Sequence, residues 1–171
     1  MNKNVRYLTH AAIIAALYAV LTHVQNILFM NSTNMMIQFR ASEALCVLAF
    51  FTPAAIPGLT VGCLLFNMVS GASALDFLFG SAASLLAALG MWLTRKVTIK
   101  GYPLLGMLLP AVFNGLLVGW ELTAFVPTDV GFWTNATCVA IGEAAVLLTL
   151  GTALFYAMKI RRLDRRTFGT V

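Results

Sequence analysis

The sequence predicts an all-α polytopic membrane protein, a single domain of six transmembrane helices with both termini in the cytoplasm. Two observations predict this fold class. Of the 171 residues, 60% are hydrophobic and 10% are charged, whereas soluble domains contain about 25% charged residues. Charged residues are also missing from long stretches such as residues 7–39. Since a spanning helix needs about 20 mostly apolar residues, these stretches indicate helices within a bilayer.

Clusters of lysine and arginine set the predicted orientation. They lie before the first apolar segment, between the fourth and the fifth, and after the last. The cations are Lys3, Arg6, Arg95, Lys96, Lys100 and those of the basic tail 159–171. The positive-inside rule makes each of these regions cytoplasmic. The chain between the first and the fourth segment therefore crosses an even number of times, and Pro53 and Pro57 mark the turn between two crossings.

The six predicted helices follow the apolar segments between these signals. The second and third are shorter than a standard span, so tilt, local thinning of the bilayer or a re-entrant pair are alternatives to two full crossings. Asp76 is predicted to be the N-cap of the fourth helix. The approximate predicted bounds are 8–29, 38–52, 56–71, 75–94, 103–125 and 132–158.

Several classes of function do not fit this sequence. The formal net charge is +5, but the cations lie at the ends of apolar segments and form no basic, aromatic surface for nucleic acid. The three cysteines are isolated, and His10 and His23 are thirteen residues apart, so neither a metal site nor a catalytic pair is indicated. No GxxxxGK[ST] motif is present for ATP hydrolysis. We therefore predict no enzyme activity, catalytic residue, metal site or cofactor in this chain.

Glu143 is the most informative polar residue within the apolar segments. It lies eleven residues into the last predicted helix, which places it about 16 Å deep. An acid at that depth costs on the order of 2.5–3.5 kcal/mol on insertion scales, so it is expected to face a partner or a wet cavity.

Other polar residues gather toward the predicted outer end, which favours a solute cavity open to the outside. Arg40 and Glu43 share one helical face, and they are alternatively an ion pair that anchors a helix end. Trp133 is alternatively an aromatic-belt anchor, and the asparagines are alternatively interhelical hydrogen-bonding groups. The further candidates are Glu121, Asn114, Asn135 and Asn67.

Small residues form two ridges on the first predicted helix. Ala11, Ala15 and Ala19 form one ridge, and Ala12 and Ala16 form a parallel one. Small residues spaced i, i+4 allow another helix to approach closely. The ridges are therefore predicted either to pack within the protein or to contact a partner.

The segment 38–88 begins with QFRASEALCVLAFFTPAAIPG, and together with FNGLLVGWEL (113–122) and FWTNATCVAIGE (132–143) it resembles the QueT-type queuosine-precursor transporters. These are substrate-binding S components of energy-coupling-factor (ECF) ABC transporters. The resemblance implies capture of a 7-deazaguanine-type precursor, or its nucleoside, outside the bacterial cytoplasmic membrane. It also implies a transmembrane coupling protein that contacts the alanine ridges, and two partner ATPases that use ATP and Mg²⁺.

A 7-deazaguanine would need a particular set of side chains. A carboxylate accepts from its adjacent N–H and amino groups, an amide donates to its carbonyl, and an aromatic ring stacks on it. Which acid contacts the base edge stays open. The predicted solute-binding residues are Glu143, Asn135, Glu121, Asn114, Trp133, Arg40, Glu43, Asn67 and Gln38. The alternative functions are an S component for another vitamin-like solute and a stand-alone carrier.

Overall fold

The computed structural model describes residues 2–29, 39–71, 73–125 and 129–160. Helices joined by short connections make up these residues, and no β-strand occurs among them, which confirms the all-α prediction. The helices are α1 (Lys3–Leu28), a 3₁₀ helix (Ala41–Phe50), α2 (Ala55–Ser70), α3 (Ala74–Thr94), α4 (Leu104–Phe125) and α5 (Phe132–Ile160).

Four of these helices, α1, α3, α4 and α5, are long and apolar enough to cross a membrane. Large apolar side chains such as Ile13, Leu93 and Val112 point outward, while glutamate, asparagine and serine side chains are buried. This inverted distribution is typical of a protein surrounded by lipid. The chain is therefore a multi-pass membrane protein, and the count of six crossings stays a prediction.

The predicted second helix is a 3₁₀ helix and forms the centre of the bundle. Eight of its 10 residues are buried, and it packs against α1, α2, α3 and α5. Its start lies beside Gln25 of α1, and the turn that follows it, at Pro53, lies beside Tyr7. It therefore runs antiparallel to α1. Because a 3₁₀ helix rises about 2.0 Å per residue, its ten residues extend about 20 Å, further than the same number in an α-helix.

Two glycines of α2 allow it to pack closely on α1. A Cβ atom added at Gly58 would lie 2.9 Å from the carbonyl oxygen of Ala11, and one added at Gly62 would lie 2.9 Å from that of Ala15. Small residues at these positions permit backbone contact between membrane helices. Ala11 and Ala15 are therefore buried inside the protein.

The remaining alanines of α1 have different environments. Ala12 and Ala16 are exposed, and Ala19 is half-buried. The Ala12–Ala16 ridge is thus the one that faces outward.

Ser73, rather than Asp76, is the N-cap of α3. The Ser73 hydroxyl accepts from the backbone N–H of Asp76 at 3.1 Å, and the Asp76 carboxylate accepts from the backbone N–H of Ser73 at 2.8 Å. This is a capping box, in which each side chain satisfies an otherwise unpaired backbone N–H. Asp76 therefore acts at the start of α3 as expected, but as the third residue of the helix rather than as its N-cap.

Charged residues separate to opposite ends of the bundle. The ring of Phe155 contacts both Phe50 and Tyr102, which brings the end of the 3₁₀ helix and the α3–α4 connection to the C-terminal end of α5. We call this the basic end, and its described cations are Lys3, Arg6, Arg95, Lys96, Lys100 and Lys159. The opposite end, which we call the polar end, carries Arg40, Asp76, Glu121, Asp129 and Asn135. The orientation of these two ends across the membrane stays a prediction.

Candidate functional site

The N-cap and the first two turns of the 3₁₀ helix place Arg40, Glu43 and Cys46 in one row. With three residues per turn, side chains spaced i, i+3 eclipse one another. The Cys46 thiol donates a hydrogen bond to Oε2 of Glu43 at 3.1 Å. Glu43 is only 2% exposed, so this row carries a carboxyl group into the interior of the bundle.

Polar side chains of α1 bind the start of the 3₁₀ helix. They occupy positions 18, 22 and 25, which share one stripe of α1 because they are spaced by about one helical turn. The contacts run from the Tyr18 hydroxyl to Oε1 of Glu43, from the Thr22 hydroxyl to the Ser42 hydroxyl at 2.6 Å, and from the Ala41 backbone N–H to the Gln25 side-chain oxygen at 2.6 Å. These hydrogen bonds fix the segment that carries the row.

Glu143 of α5 completes the interior of this site. It is 5% exposed, and its carboxyl group lies within hydrogen-bonding range of that of Glu43. Its Oε1 atom is buried and has no hydrogen-bond partner among the described residues. Leaving a buried polar atom unpaired costs about 1–3 kcal/mol. Glu143 therefore presents a hydrogen-bond acceptor that the described part of the protein does not use.

A π-helical turn, Leu147–Gly151, begins one helical turn after Glu143 in α5. Such turns occur often at functional sites, where they change the direction in which neighbouring side chains point. This turn packs against the 3₁₀ helix, since a Cβ atom added at Gly151 would lie 3.2 Å from Val47. The packing connects the helix that carries Glu143 to the helix that carries Glu43.

Arg40 is the cation of the site and is surrounded by acids. It is half-buried and interacts electrostatically with Glu43 and Glu143, and with Asp76 and Glu121. An arginine side chain keeps its positive charge in proteins. The guanidinium therefore stays charged and presents N–H donors at the polar end.

Glu121 and Asp76 form a second pair of acids beside Arg40. Their carboxyl groups lie within hydrogen-bonding range of each other, and Glu121 is buried. Asp76 also retains its hydrogen bond to the start of α3. The structure thus brings together four of the predicted solute-binding residues, and it adds Asp76 to them. The four are Arg40, Glu43, Glu121 and Glu143.

The three predicted asparagines donate to protein acceptors. Asn67 donates to the carbonyl oxygen of Asp76 at 3.0 Å, and Asn135 donates to the hydroxyl of Thr123 at 2.9 Å. Both contacts join neighbouring helices. Asn114 donates within α4, to the carbonyl oxygen of Pro110 at 3.1 Å. The contacts of Asn67 and Asn135 agree with the alternative role in helix packing, and a contact of any of the three with solute stays a prediction.

Trp133 lies apart from the buried acids. It is 75% exposed, its ring contacts that of Phe132 at a centroid distance of 4.9 Å, and it borders an apolar outer groove between α4 and α5. This placement agrees with the aromatic-belt alternative. Gln38 lies outside the described residues.

A family model described as QueT transporter matches residues 8–160 of the chain. The chain belongs to the QueT transporter family. This match confirms the resemblance of the sequence motifs and makes the protein a membrane transporter of a small solute. No curated protein and no solved structure matches the chain.

Besides Asp76, two residues of this QueT-family site are missing from the predicted solute-binding residues. Tyr18 contacts Glu43 and lies on the same stripe of α1 as Ala11 and Ala15. If that stripe were known to face inward, Tyr18 would be a candidate site residue. Cys46 follows Glu43 by three residues, but this spacing aligns side chains fully only in a 3₁₀ helix. Both signals depend on knowing how the helices pack.

The chemistry of the site suits recognition of a polar solute. No group of three or more potential metal ligands occurs among the described residues. The unpaired oxygen of Glu143 accepts hydrogen bonds, and the guanidinium of Arg40 donates them. Together they are able to bind a solute that carries both hydrogen-bond donors and an acceptor.

Proposed function

We propose that this QueT-family protein is the S component of an ECF-type ABC transporter. In this role it captures a 7-deazaguanine-type queuosine precursor, or its nucleoside, at the outer face of the bacterial cytoplasmic membrane. A coupling protein and two ATPases then drive uptake with ATP and Mg²⁺. The observation that carries the proposal is the buried, unpaired Oε1 of Glu143 beside the guanidinium of Arg40.

The hydrogen-bonding edge of 7-deazaguanine matches this pair of residues. Along that edge lie an amino group, an N–H and a carbonyl oxygen. The carboxyl group of Glu143 accepts from the first two, and the guanidinium of Arg40 donates to the carbonyl. A site built around such polar groups rejects solutes that leave its buried groups unpaired.

Precursors with an aminomethyl group add a positive charge to the same base. The Asp76–Glu121 pair also interacts electrostatically with Arg40 and supplies the opposite charge. In this arrangement Glu143 recognises the base edge, and the Asp76–Glu121 pair recognises the cationic substituent.

The partners are assigned from the sequence and from the exposed face of α1. The chain has no GxxxxGK[ST] motif, so ATP hydrolysis is assigned to separate subunits. The outward ridge of Ala12 and Ala16 is the surface where a helix of the coupling protein would approach closely. Ala11 and Ala15 are buried against α2, so they support this contact only indirectly.

Ligand protection against heat tests the solute assignment. Purified protein in detergent is heated with 7-cyano-7-deazaguanine, 7-aminomethyl-7-deazaguanine, queuine, queuosine, riboflavin or thiamine. Because a ligand that binds only the folded state stabilises it by mass action, at least one deazaguanine should raise the melting temperature. Stabilisation by riboflavin or thiamine alone would instead support an S component for another solute.

Copurification from the native membrane tests the transporter class. An S component should bring down two ATPases and a transmembrane coupling protein. Purification of a transport-competent protein without those subunits would support the stand-alone carrier.

A further inference from the structure

We propose that Tyr18 is a positioning residue for the solute site. By occupying one oxygen of Glu43, the Tyr18 hydroxyl holds Glu43 in place beside Arg40 and leaves Glu143 as the carboxyl group that receives the solute. This inference rests on the proposed function for the identity of the solute. The division of roles between the two acids comes from their side-chain contacts.

Both oxygens of Glu43 are engaged by protein donors. Oε1 accepts from the Tyr18 hydroxyl, and Oε2 accepts from the Cys46 thiol at 3.1 Å. Glu143 is also buried, but its Oε1 has no partner in the described part of the chain. A carboxylate that already accepts from two fixed donors has less capacity left for a solute. Glu43 is therefore the acid that organises the site, and Glu143 is the acid that binds.

The packing of α1 on α2 fixes the position of the Tyr18 hydroxyl. Tyr18 is fully buried. A Cβ atom added at Gly62 would lie 2.8 Å from the Cβ atom of Tyr18, so the base of the side chain rests on the α2 backbone. With its ring enclosed in this way, the phenol has little freedom to move, and its hydroxyl is a fixed donor rather than an adaptable one.

A fixed Glu43 also determines where Arg40 points. The two residues are one turn apart in the same row, and each lies close to Glu143. Without the Tyr18 hydroxyl, the Glu43 carboxyl group loses a fixed donor and is able to shift relative to Arg40, with which it interacts electrostatically. The guanidinium would then be drawn away from the position in which it donates to the solute carbonyl. Loss of this one hydroxyl should therefore weaken solute binding although Tyr18 does not contact the solute.

The substitution Tyr18→Phe tests this role, with Tyr7→Phe as its matched control on the same helix. Tyr7 lies at the basic end, where its hydroxyl contacts a backbone carbonyl at 3.5 Å. Affinity for 7-aminomethyl-7-deazaguanine is measured by titration calorimetry in detergent, together with the melting temperature of the empty protein. We expect Tyr18→Phe to weaken affinity about tenfold, because the displaced Arg40 guanidinium loses its hydrogen bond to the solute carbonyl. Tyr7→Phe should leave affinity unchanged.

A purely structural role of Tyr18 predicts a different result. It would lower the melting temperature of the empty protein without changing affinity, because affinity compares the free and bound forms of folded protein. Thr22→Val supplies the comparison, since it removes a contact between α1 and the 3₁₀ helix that does not involve Glu43. An equal loss of affinity in Thr22→Val and Tyr18→Phe would show that general docking of α1 matters, and would overturn the inference.

The second donor to Glu43 gives a test that does not depend on folding of the Tyr18→Phe variant. Cys46→Ala removes the donor to Oε2, whereas Cys46→Ser keeps a donor at that position. We expect Cys46→Ala to weaken affinity and Cys46→Ser to restore most of it. Equal affinities in these two variants would contradict the positioning role of Glu43.

The wild-type measurement separates failure of the inference from failure of the proposed function. If the wild-type protein binds none of the 7-deazaguanines, the proposed function fails and the inference fails with it. If the wild-type protein binds and Tyr18→Phe binds equally well, only the inference is overturned.

Discussion

Replacing Glu143 with leucine should stabilise the empty protein and weaken solute binding at the same time. The buried Oε1 of Glu143 has no partner among the described residues, and such an atom costs about 1–3 kcal/mol. Glu143→Leu removes this atom, and Glu43 keeps its hydrogen bonds from Tyr18 and Cys46. For a chain of this size, each kcal/mol gained raises the melting temperature by about 2–4 °C.

Solute affinity should change in the opposite direction. Loss of a hydrogen bond to a charged group weakens binding by about 1.5–3 kcal/mol, or roughly ten- to hundredfold. Glu143→Gln keeps one acceptor oxygen, so its affinity should lie between those of the wild type and Glu143→Leu. Calorimetry with 7-aminomethyl-7-deazaguanine measures affinity, and thermal unfolding of the empty protein measures stability.

Glu121→Leu is the matched control for the stability half of this prediction. Glu121 is also buried, but among the described residues no buried oxygen of Glu121 lacks a hydrogen-bond partner. Its removal should therefore not raise the melting temperature. Unchanged affinity in Glu143→Leu would refute the assignment of this residue as the solute acceptor. A lower melting temperature in Glu143→Leu would refute the conclusion that its oxygen is unpaired.

Three further predictions address topology, helix packing and the outward ridge. In a background without native cysteines, a thiol reagent should label Lys100→Cys from the cytoplasm and Asp129→Cys from outside, and the reverse pattern would overturn the orientation. Gly62→Ala should destabilise the protein by about 1–3 kcal/mol, because the added Cβ atom meets α1 at 2.8 Å. Gly131→Ala, whose Cβ atom meets nothing within 4 Å, is its control, and equal melting temperatures would contradict the close α1–α2 contact. Ala12→Leu should abolish uptake in cells while the isolated subunit still binds solute, since Ala12 faces outward; normal uptake would exclude that ridge as the docking surface.

The sequence by itself determined the class of the protein. Long apolar segments require helices in a bilayer because unpaired backbone groups are too costly there. The motifs beginning at Gln38 indicated the family, and the match over residues 8–160 confirmed it. The placement of Arg40, Glu121 and Glu143 within apolar segments also marked them as candidates, since an ionisable group in such a segment needs a partner or a cavity.

Only the tertiary structure decided how the second segment is wound and which ridge of α1 faces inward. A helix that is buried on all sides has no polar face, so its sequence carries no periodicity that separates three residues per turn from 3.6. Alanines appear on two neighbouring ridges of α1, and the choice between them depends on Gly58 and Gly62 of another helix.

The roles of the two central acids were likewise decided by tertiary contacts. Glu43 and Glu143 are both buried glutamates in apolar segments, and local sequence does not distinguish them. They differ because Tyr18, twenty-five residues before Glu43 in the chain, donates to one of them, while an oxygen of the other has no partner among the described residues. Hydrogen bonds between distant segments depend on how helices pack, and a local pattern of residue types does not encode that packing.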